Sequence, residues 1–550
     1  MQAALLSLLL SPGANSAPDT LVICPPSFTP ALRPWVAHRQ TQGHRIRFLP
    51  NHVSPYSIRD AIRAAHQSEE LKYVLLIGDA LPSGCGNTLD RQRTTPTYQA
   101  PARVVIQWGP EADIATDNWY ADLDEDQLPD IAIGRLTADS VEELRVMVDK
   151  ILAYEQRASS GPWRRRVNFV AGVGDFGPVL DTVIEAATRT FLTEGIPPSY
   201  ATSMTYGSWR SPYCPDPRRF HHVALTRFNE GCLFWVYIGH GQRTFLDRVR
   251  VAGATYPILS TEDVGKLRRD GGAPIAIFLS CYSGAYDGRR DCLGEELIRA
   301  PQGPVAVLAG SRVTMPYAMA VLGNELMHEY FVSRRETLGQ LILHAKRRMA
   351  STPPEESQTE ISTRQRLDAL ATMFSPQPDR LEEERLEHVQ LFNLLGDPLL
   401  RLHHANEVHL EAVEYVHAGE RLHVTGSTST AGHMTLELVC RRDQTRETPP
   451  LRTSCPESDP ALEAFSRVYE LANDRRWTAT GFPCQEGPFE AELRVPVDAR
   501  GPCYVRAFVD GLAGYALGAR PVLVKSPRRL QRLAEKNRPE ANKPMPGLSR

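Results

Sequence analysis

Two unbroken apolar runs, Leu233–Ile238 (LFWVYI) and Pro274–Leu279 (PIAIFL), limit what this chain can fold into. Strict alternation of apolar and polar residues would mark strands with one wet face. Short continuous runs instead mark strands buried on both faces, as in a parallel sheet covered by helices. Each run stops at glycine or serine beside a chemically capable residue: Gly239-His240-Gly241 in one case, Ser280-Cys281 in the other. In open parallel sheets, active sites form beyond the carboxyl ends of the strands. A thiol needs a base to become a thiolate near neutral pH, and imidazole is the usual one. Cys281 and His240 are therefore the candidate nucleophile and base. A small core cysteine and a satisfied core histidine are the ordinary alternatives, and the matched strand-end positions favour the dyad. Glycines on both sides of His240 keep side chains away from the ring. They also leave the Gly241 N–H to join the Cys281 N–H as an oxyanion hole.

The same texture extends over the first 400 residues. Thr20–Cys24, Arg45–Leu49, Tyr73–Ile77 and Asp130–Gly134 read as strands. Helices are expected at Leu32–Gln42 and Ile58–Ala65, and after the capping pattern Ser140-Val-Glu-Glu143. The cycle restarts at Val167–Ala171. A helix follows over Val179–Glu194, then the two strands above, a helix at Leu293–Arg299 and a strand at Val305–Ala309. Helices at Tyr317–Ser333, Thr337–Met349 and Arg364–Phe374 complete the set, with a polar loop at Ser351–Ser362. Such alternation predicts α/β layers around a mostly parallel sheet, in subdomains 18–160 and 161–405. From residue 406 to 525 the pattern changes to short alternating strands: Val408–Val413, Arg421–Gly426, Met434–Cys440, Phe489–Val495 and Tyr504–Val509. These predict an all-β, immunoglobulin-like sandwich. Residues 526–550 form a basic tail, expected to be disordered.

A chain of 550 residues exceeds what one core organises. With 62 basic against 65 acidic residues, its charge of −3 offers nucleic acid no attraction. No apolar stretch approaches the roughly 20 residues that cross a bilayer. Ala3–Leu10 is a short apolar run before small residues at Ala14–Ala17, although no Lys or Arg precedes Arg33. Residues 1–17 are thus expected to be an export signal, which implies a secreted, periplasmic or cell-surface protein. A buried or disordered amino-terminal segment is the other reading. Cys440, Cys455, Cys484 and Cys503 cluster in the β-rich region, where one or two disulfides are expected.

Five passages together resemble the gingipain family of cysteine peptidases, which have a caspase-like fold. They are YVLLIGDA (73–80), NWYADLDEDQLPDIAIGRL (118–136), YIGHG (237–241), FLSCYSG (278–284) and NLLGDPLLRL (393–402). The resemblance implies a mostly parallel sheet in two subdomains and a following immunoglobulin-like domain. Its functional implication is a peptidase acting on protein or peptide substrates, with Cys281 as nucleophile and His240 as general base and acid. Asp175, in FVAGVGDFGP (169–178), matches the acidic residue that family members place beside the histidine. Asp181 falls near the acid that gives gingipains their preference for basic side chains, with Asp287 and Asp291 as other charge sources. Asp122, Asp124, Asp126 and Asp130 supply hard oxygen ligands at close intervals, which suit the structural Ca²⁺ that gingipains bind. No Gly at the sixth position or Glu at the twelfth makes this an EF-hand. A sortase-like transpeptidase and a non-catalytic binding module are the alternatives on this fold. A nucleotide-binding fold is disfavoured, because no glycine-rich phosphate loop follows an early strand.

Overall fold

The computed structural model describes residues 17–51, 54–67, 70–82, 90, 92–156, 161–174, 195–251, 254–351, 358–450, 452, 458–512 and 514–527. The expected signal at 1–17, all but its last residue, the helix at Val179–Glu194, Cys455 and most of the basic tail lie outside them. The chain divides into two compact units, Met1–His404 with Leu451–Tyr469, and Ala405–Pro450 with Glu470–Arg550.

In the first unit, ten strands form one sheet. In chain order they are β1 (Thr20–Cys24), β2 (Ile46–Pro50), β3 (Tyr73–Ile77), β4 (Ala132–Leu136), β5 (Arg166–Ala171), β6 (Ala201–Tyr206), β7 (Phe234–Ile238), β8 (Ile275–Leu279), β9 (Ala306–Gly310) and β10 (Phe392–Leu395). Their spatial order is β2-β1-β3-β4-β10-β9-β8-β7-β5-β6. All neighbours are parallel except β9 and β10. The two expected subdomains are thus halves of one continuous sheet that run in opposite directions. The strand that joins them is the last of the unit in sequence. Every residue of β1, β3, β7, β8, β9 and β10 is buried, as continuous apolar runs require.

Helix α1 (Val141–Gln156) buries Leu144, Met147, Val148 and Ile151. Ser140 Oγ caps it by accepting the Glu143 N–H at 3.2 Å. Helix α2 (Leu293–Arg299) follows β8, and α3 (Pro316–Phe331) follows β9. The helix expected from Arg364 starts earlier, at Gln358. The sequence patterns did not single out the helix Leu381–Leu391, named α4 here, which leads directly into β10.

The passages carrying the resemblance are largely structural anchors. Arg135 of β4 is fully buried and grips Asp117 at 2.7 and 2.8 Å. It also donates to the Gly78 and Thr95 carbonyls at 2.9 and 2.7 Å. Asp397, just past β10, accepts from Trp35 Nε1 at 2.5 Å and from Arg39 at 2.6 Å. A buried charge needs such partners, because desolvation otherwise costs several kcal/mol.

The second unit is built of mostly antiparallel strands: Asn406–Ala412, Tyr415–His417, Arg421–Thr428, Gly432–Cys440, Arg476–Cys484, Gly487–Arg494, Gly501–Gly511 and Gly514–Lys525. Their inward residues, including Leu422, Val424, Leu436, Leu438, Val505 and Ala507, make its core. The strands expected from 406 onward are present, but the stretch is not all-β: the chain leaves this unit at Leu451, forms a helix at Asp459–Asn473 and returns at Glu470. The excursion belongs to the first unit: Tyr469 Oη lies 2.9 Å from Thr205 Oγ1 and accepts from Arg227 Nε at 2.9 Å. The expected disulfides do not appear among the described cysteines. Cys440, Cys484 and Cys503 are free thiols. Cys440 and Cys503 nevertheless sit directly opposite each other on antiparallel strands.

Candidate active site

Strands β7 and β8 are parallel neighbours in the register Phe234↔Ile275 to Ile238↔Leu279. His240 and Cys281 each lie two residues past the last matched pair, so they emerge side by side on one rim. Neighbouring strands are only about 4.8 Å apart. The Gly239 N–H donates to the Leu279 carbonyl at 3.2 Å and carries the alignment one residue further. Both His240 and Cys281 are partly exposed, whereas the strands that deliver them are buried.

The glycines around His240 serve close backbone approach. Gly239 has φ +153°, and a Cβ there would lie 2.8 Å from Tyr237 Oη and 3.0 Å from the Gly172 Cα. A Cβ on Gly241 would run into the Cys281 carbonyl oxygen and sit 2.8 Å from Ser280 Oγ. Among the described residues no hydrogen bond takes the Gly241 N–H; its bridge to Leu246 works through Gln242 N–H and the Phe245 carbonyl, 2.8 Å apart.

Tyr237, fully buried in β7, fixes the histidine's main chain. Its hydroxyl donates to the His240 carbonyl at 2.7 Å and accepts the Asp247 N–H at 3.2 Å. Burial and the nearby Asp247 push this phenol well above its usual range. The Asp247 carboxylate accepts the Val173 N–H at 2.8 Å, tying the chain beyond β5 to the same rim.

On the nucleophile's side, the chain turns immediately after Cys281. Tyr282 adopts φ +55°, unusual for a side chain of that size. Its hydroxyl donates to Glu111 at 2.7 Å, and the buried Ser280 and Ser283 hydroxyls pair at 3.0 Å. Gly284 is needed for space, because a Cβ there would sit 2.7 Å from the Ala309 Cβ of β9. The Cys281 sulfur accepts the Thr314 N–H at 3.3 Å, and it lies 3.6 Å from Thr314 Oγ1 and 3.7 Å from the Thr314 carbonyl. Burial pushes the thiol up, while the Thr314 N–H and hydroxyl pull it down.

The remaining sequence candidates divide. Asp175 and Asp181 lie outside the described residues. Asp287 is buried and held by Arg312 in a two-pronged pair at 2.8 and 2.6 Å. Burial raises its carboxyl, but the Arg312 hydrogen bonds outweigh that and hold it below its usual value. Asp291 accepts from Arg299 at 2.5 Å. Both acids are therefore neutralised within the protein.

In the aspartate loop, Asp122, Asp124 and Asp130 converge, with ligand oxygens within 4.8 Å of one another, whereas Asp126 is not part of that group. These side chains already close the loop on itself. Asp122 accepts the Glu125 and Gln127 N–H groups at 2.7 and 3.3 Å, and Asp130 accepts the Leu123 N–H at 2.9 Å. Arg59 and Arg347 supply positive charge at 3.5 and 2.9 Å. A second acidic group, Asp79, Asp291 and Glu295, also brings its oxygens within 4.8 Å.

Sequence reasoning missed Thr314, Tyr237, Asp247 and this second cluster. Tyr237 alone carried a signal, as the one hydroxyl inside an otherwise apolar run ending at His240.

Comparison with known proteins bears on the family and the fold. Gingipain R2 of Porphyromonas gingivalis is 23% identical over 323 residues, which cover 56% of this chain and 39% of that protein. Lys-gingipain W83 of the same organism is 24% identical over 200 residues, 36% of this chain and 10% of that one. The chain thus spans less than two fifths of these curated relatives. The crystal structure of the Arg-specific cysteine proteinase gingipain R superposes with a TM-score of 0.51 at 16% identity, covering 94% of this chain and 100% of that one. At that identity the likeness speaks for the fold: a mixed sheet flanked by helices, followed by an all-β unit. The model of Peptidase family C25 matches residues 14–403, and the chain belongs to that family.

Proposed function

We propose that this protein is a cysteine endopeptidase in which Cys281 attacks the scissile carbonyl and His240 carries the proton. The observation that supports it best is the β7–β8 register, which sets both residues on one rim at equal distance beyond their strands. In this reading the imidazole takes the thiol proton and the thiolate adds to the carbonyl carbon. The Gly241 and Cys281 N–H groups receive the oxyanion. Collapse breaks the C–N bond, the imidazolium gives its proton to the departing amine, and a thioester is left on Cys281. Water activated by the same imidazole then releases the acid. Asp247 accepts the Val173 and Arg248 N–H groups at 2.8 and 2.7 Å, and the role of orienting the ring is assigned to Asp175 from the family resemblance alone.

The names of the relatives specify Arg and Lys, but a basic preference is not part of this proposal. Asp287 and Asp291 are both spent on arginines, and Asp181 is the only acid left from the sequence reading for such a role.

For calcium, the Asp79–Asp291–Glu295 cluster is a second candidate beside the aspartate loop, although Arg299 already pairs with its Asp291 at 2.5 Å. Glu295 is 1% exposed; its Oε2 accepts the Cys292 N–H at 2.8 Å, and its Oε1 lies 3.6 Å from Arg299 Nη2. Asp79 is buried beside it, and desolvation pushes its carboxyl up to about 6. Glu295 is raised as well, by burial and by Asp79. Two buried carboxylates that resist ionisation together are what a hard divalent cation would relieve. Bound there, Ca²⁺ would tie the loop after β3 to α2.

The test is direct. Cys281→Ala and His240→Ala should each remove hydrolysis of a mixed peptide library by at least about 10²-fold while leaving the thermal transition intact. Near-full hydrolysis by either folded variant overturns the assignment.

A further inference from the structure

Helix α4 supplies a residue that reaches the nucleophile without touching it. His388 is fully buried. Its Nε2 lies 2.7 Å from the Met315 nitrogen, and its Nδ1 lies 2.7 Å from the Glu384 carbonyl oxygen. Since the Met315 N–H can only donate, Nε2 is the acceptor, and the ring proton on Nδ1 goes to the carbonyl. The peptide unit whose N–H His388 holds is the one linking Thr314 to Met315. The carbonyl of that same unit lies 3.7 Å from the Cys281 sulfur, and the preceding N–H, that of Thr314, points at the sulfur from 3.3 Å. One rigid plane is therefore fixed by imidazole on one edge and faces the thiol with the other. The arrangement serves both states of the sulfur: the thiol can donate to the Thr314 carbonyl, and the thiolate can accept the Thr314 N–H.

We propose that His388 is a positioning residue for the nucleophile, holding the Thr314–Met315 peptide so that the Thr314 N–H stabilises the Cys281 thiolate. The proposal rests on the reading of Cys281 as the nucleophile. A buried ring in this place is not needed for packing alone, since a phenyl group would fill the space. What phenylalanine lacks is the acceptor.

The experiment compares His388→Phe and His388→Gln with the wild-type protein. The rate of iodoacetamide alkylation of Cys281 is followed against pH by peptide mass spectrometry, and peptide hydrolysis is measured alongside. In the folded Phe variant the thiol titration should move up by about half to one pH unit, with kcat down about tenfold and KM little changed. Gln, which keeps an acceptor, should restore most of both. Unchanged alkylation and kcat in the Phe variant overturn the proposal. If the Phe variant does not fold, ¹⁵N-histidine spectra of the wild-type protein decide, with the His388 signal identified by its loss in His388→Gln. A proton on Nδ1 and a bare Nε2 are expected, and a proton on Nε2 overturns the proposal. Failure of the peptidase reading looks different: a wild-type protein with no hydrolysis, whose Cys281 alkylation profile still reports on His388.

Discussion

At the scale of single residues, the candidate site combines two strand-end side chains with the groups that fix their main chain. Cys281 and His240 were legible because each interrupts an apolar run at a strand end. Thr314 was not, and Tyr237 showed only as a hydroxyl in an apolar run, because what each does lies in which atom it meets. Tyr237 Oη bridges the His240 carbonyl and the Asp247 N–H across a turn that no sequence pattern encodes. Tyr237→Phe keeps the ring's packing and removes only that bridge. Loss of a buried hydroxyl that satisfies two backbone groups should cost about 1–3 kcal/mol of stability and lower kcat several-fold through a looser His240. Thermal denaturation and steady-state kinetics check this together. A variant that is destabilised but has an unchanged kcat would show that the bridge supports the fold and not the base.

At the scale of elements, the buried strands announced themselves, whereas α4 did not. Its sequence, LEEERLEHVQL, opens with consecutive charges, and its apolar residues fall on no single face. The structure gives the reason: this helix buries polar groups on purpose. Glu384 accepts the Ala318 N–H at the start of α3, at 3.1 Å, and His388 takes Met315. Glu387 accepts three consecutive N–H groups, of Arg103, Val104 and Val105, at 2.6, 2.8 and 2.8 Å. An amphipathic pattern signals a helix that packs oil against oil. A helix whose buried face caps loops has no such pattern, so periodicity cannot find it. The 103–105 segment leads to Gly109, where a Cβ would lie 3.3 Å from the hydroxyl of Tyr282, the residue after the nucleophile. Glu387→Ala orphans three N–H groups at once and should cost about 2–4 kcal/mol. The loss should read as a lower urea midpoint and as faster amide exchange confined to residues 103–105. Uniform exchange with an unchanged midpoint would contradict the capping role.

At the scale of the whole molecule, the sequence revealed the kinds of layer but not how the sheet is joined. Two subdomains were legible as two α/β cycles. That β10 closes the gap between halves of opposite direction follows from pairings of residues far apart in sequence, Leu395 with Arg135 and with Val307, which no local pattern records. The same long-range joining also brings buried acids from both halves together. Asp79 follows β3 of one half, and Glu295 belongs to α2 of the other; both are buried and both resist ionisation. The aspartate loop looked like the metal site because its acids are close in sequence, and closeness in sequence also lets them cap their own turn. The pH dependence separates the two sites. In the unfolded chain Asp79 titrates near about 4, and in the folded protein near about 6. A carboxyl raised by folding favours the native state while it is protonated. Its contribution is therefore full below about pH 4 and is lost as pH rises through 6. With EGTA present, Tm should fall over that window. Millimolar Ca²⁺ at pH 7 should restore a few degrees, because a ligand that binds only the native state stabilises it. Asp79→Asn should flatten both the pH slope and the calcium increment, whereas Asp122→Asn should leave the increment in place. A calcium shift that survives Asp79→Asn and vanishes in Asp122→Asn would move the ion back to the aspartate loop.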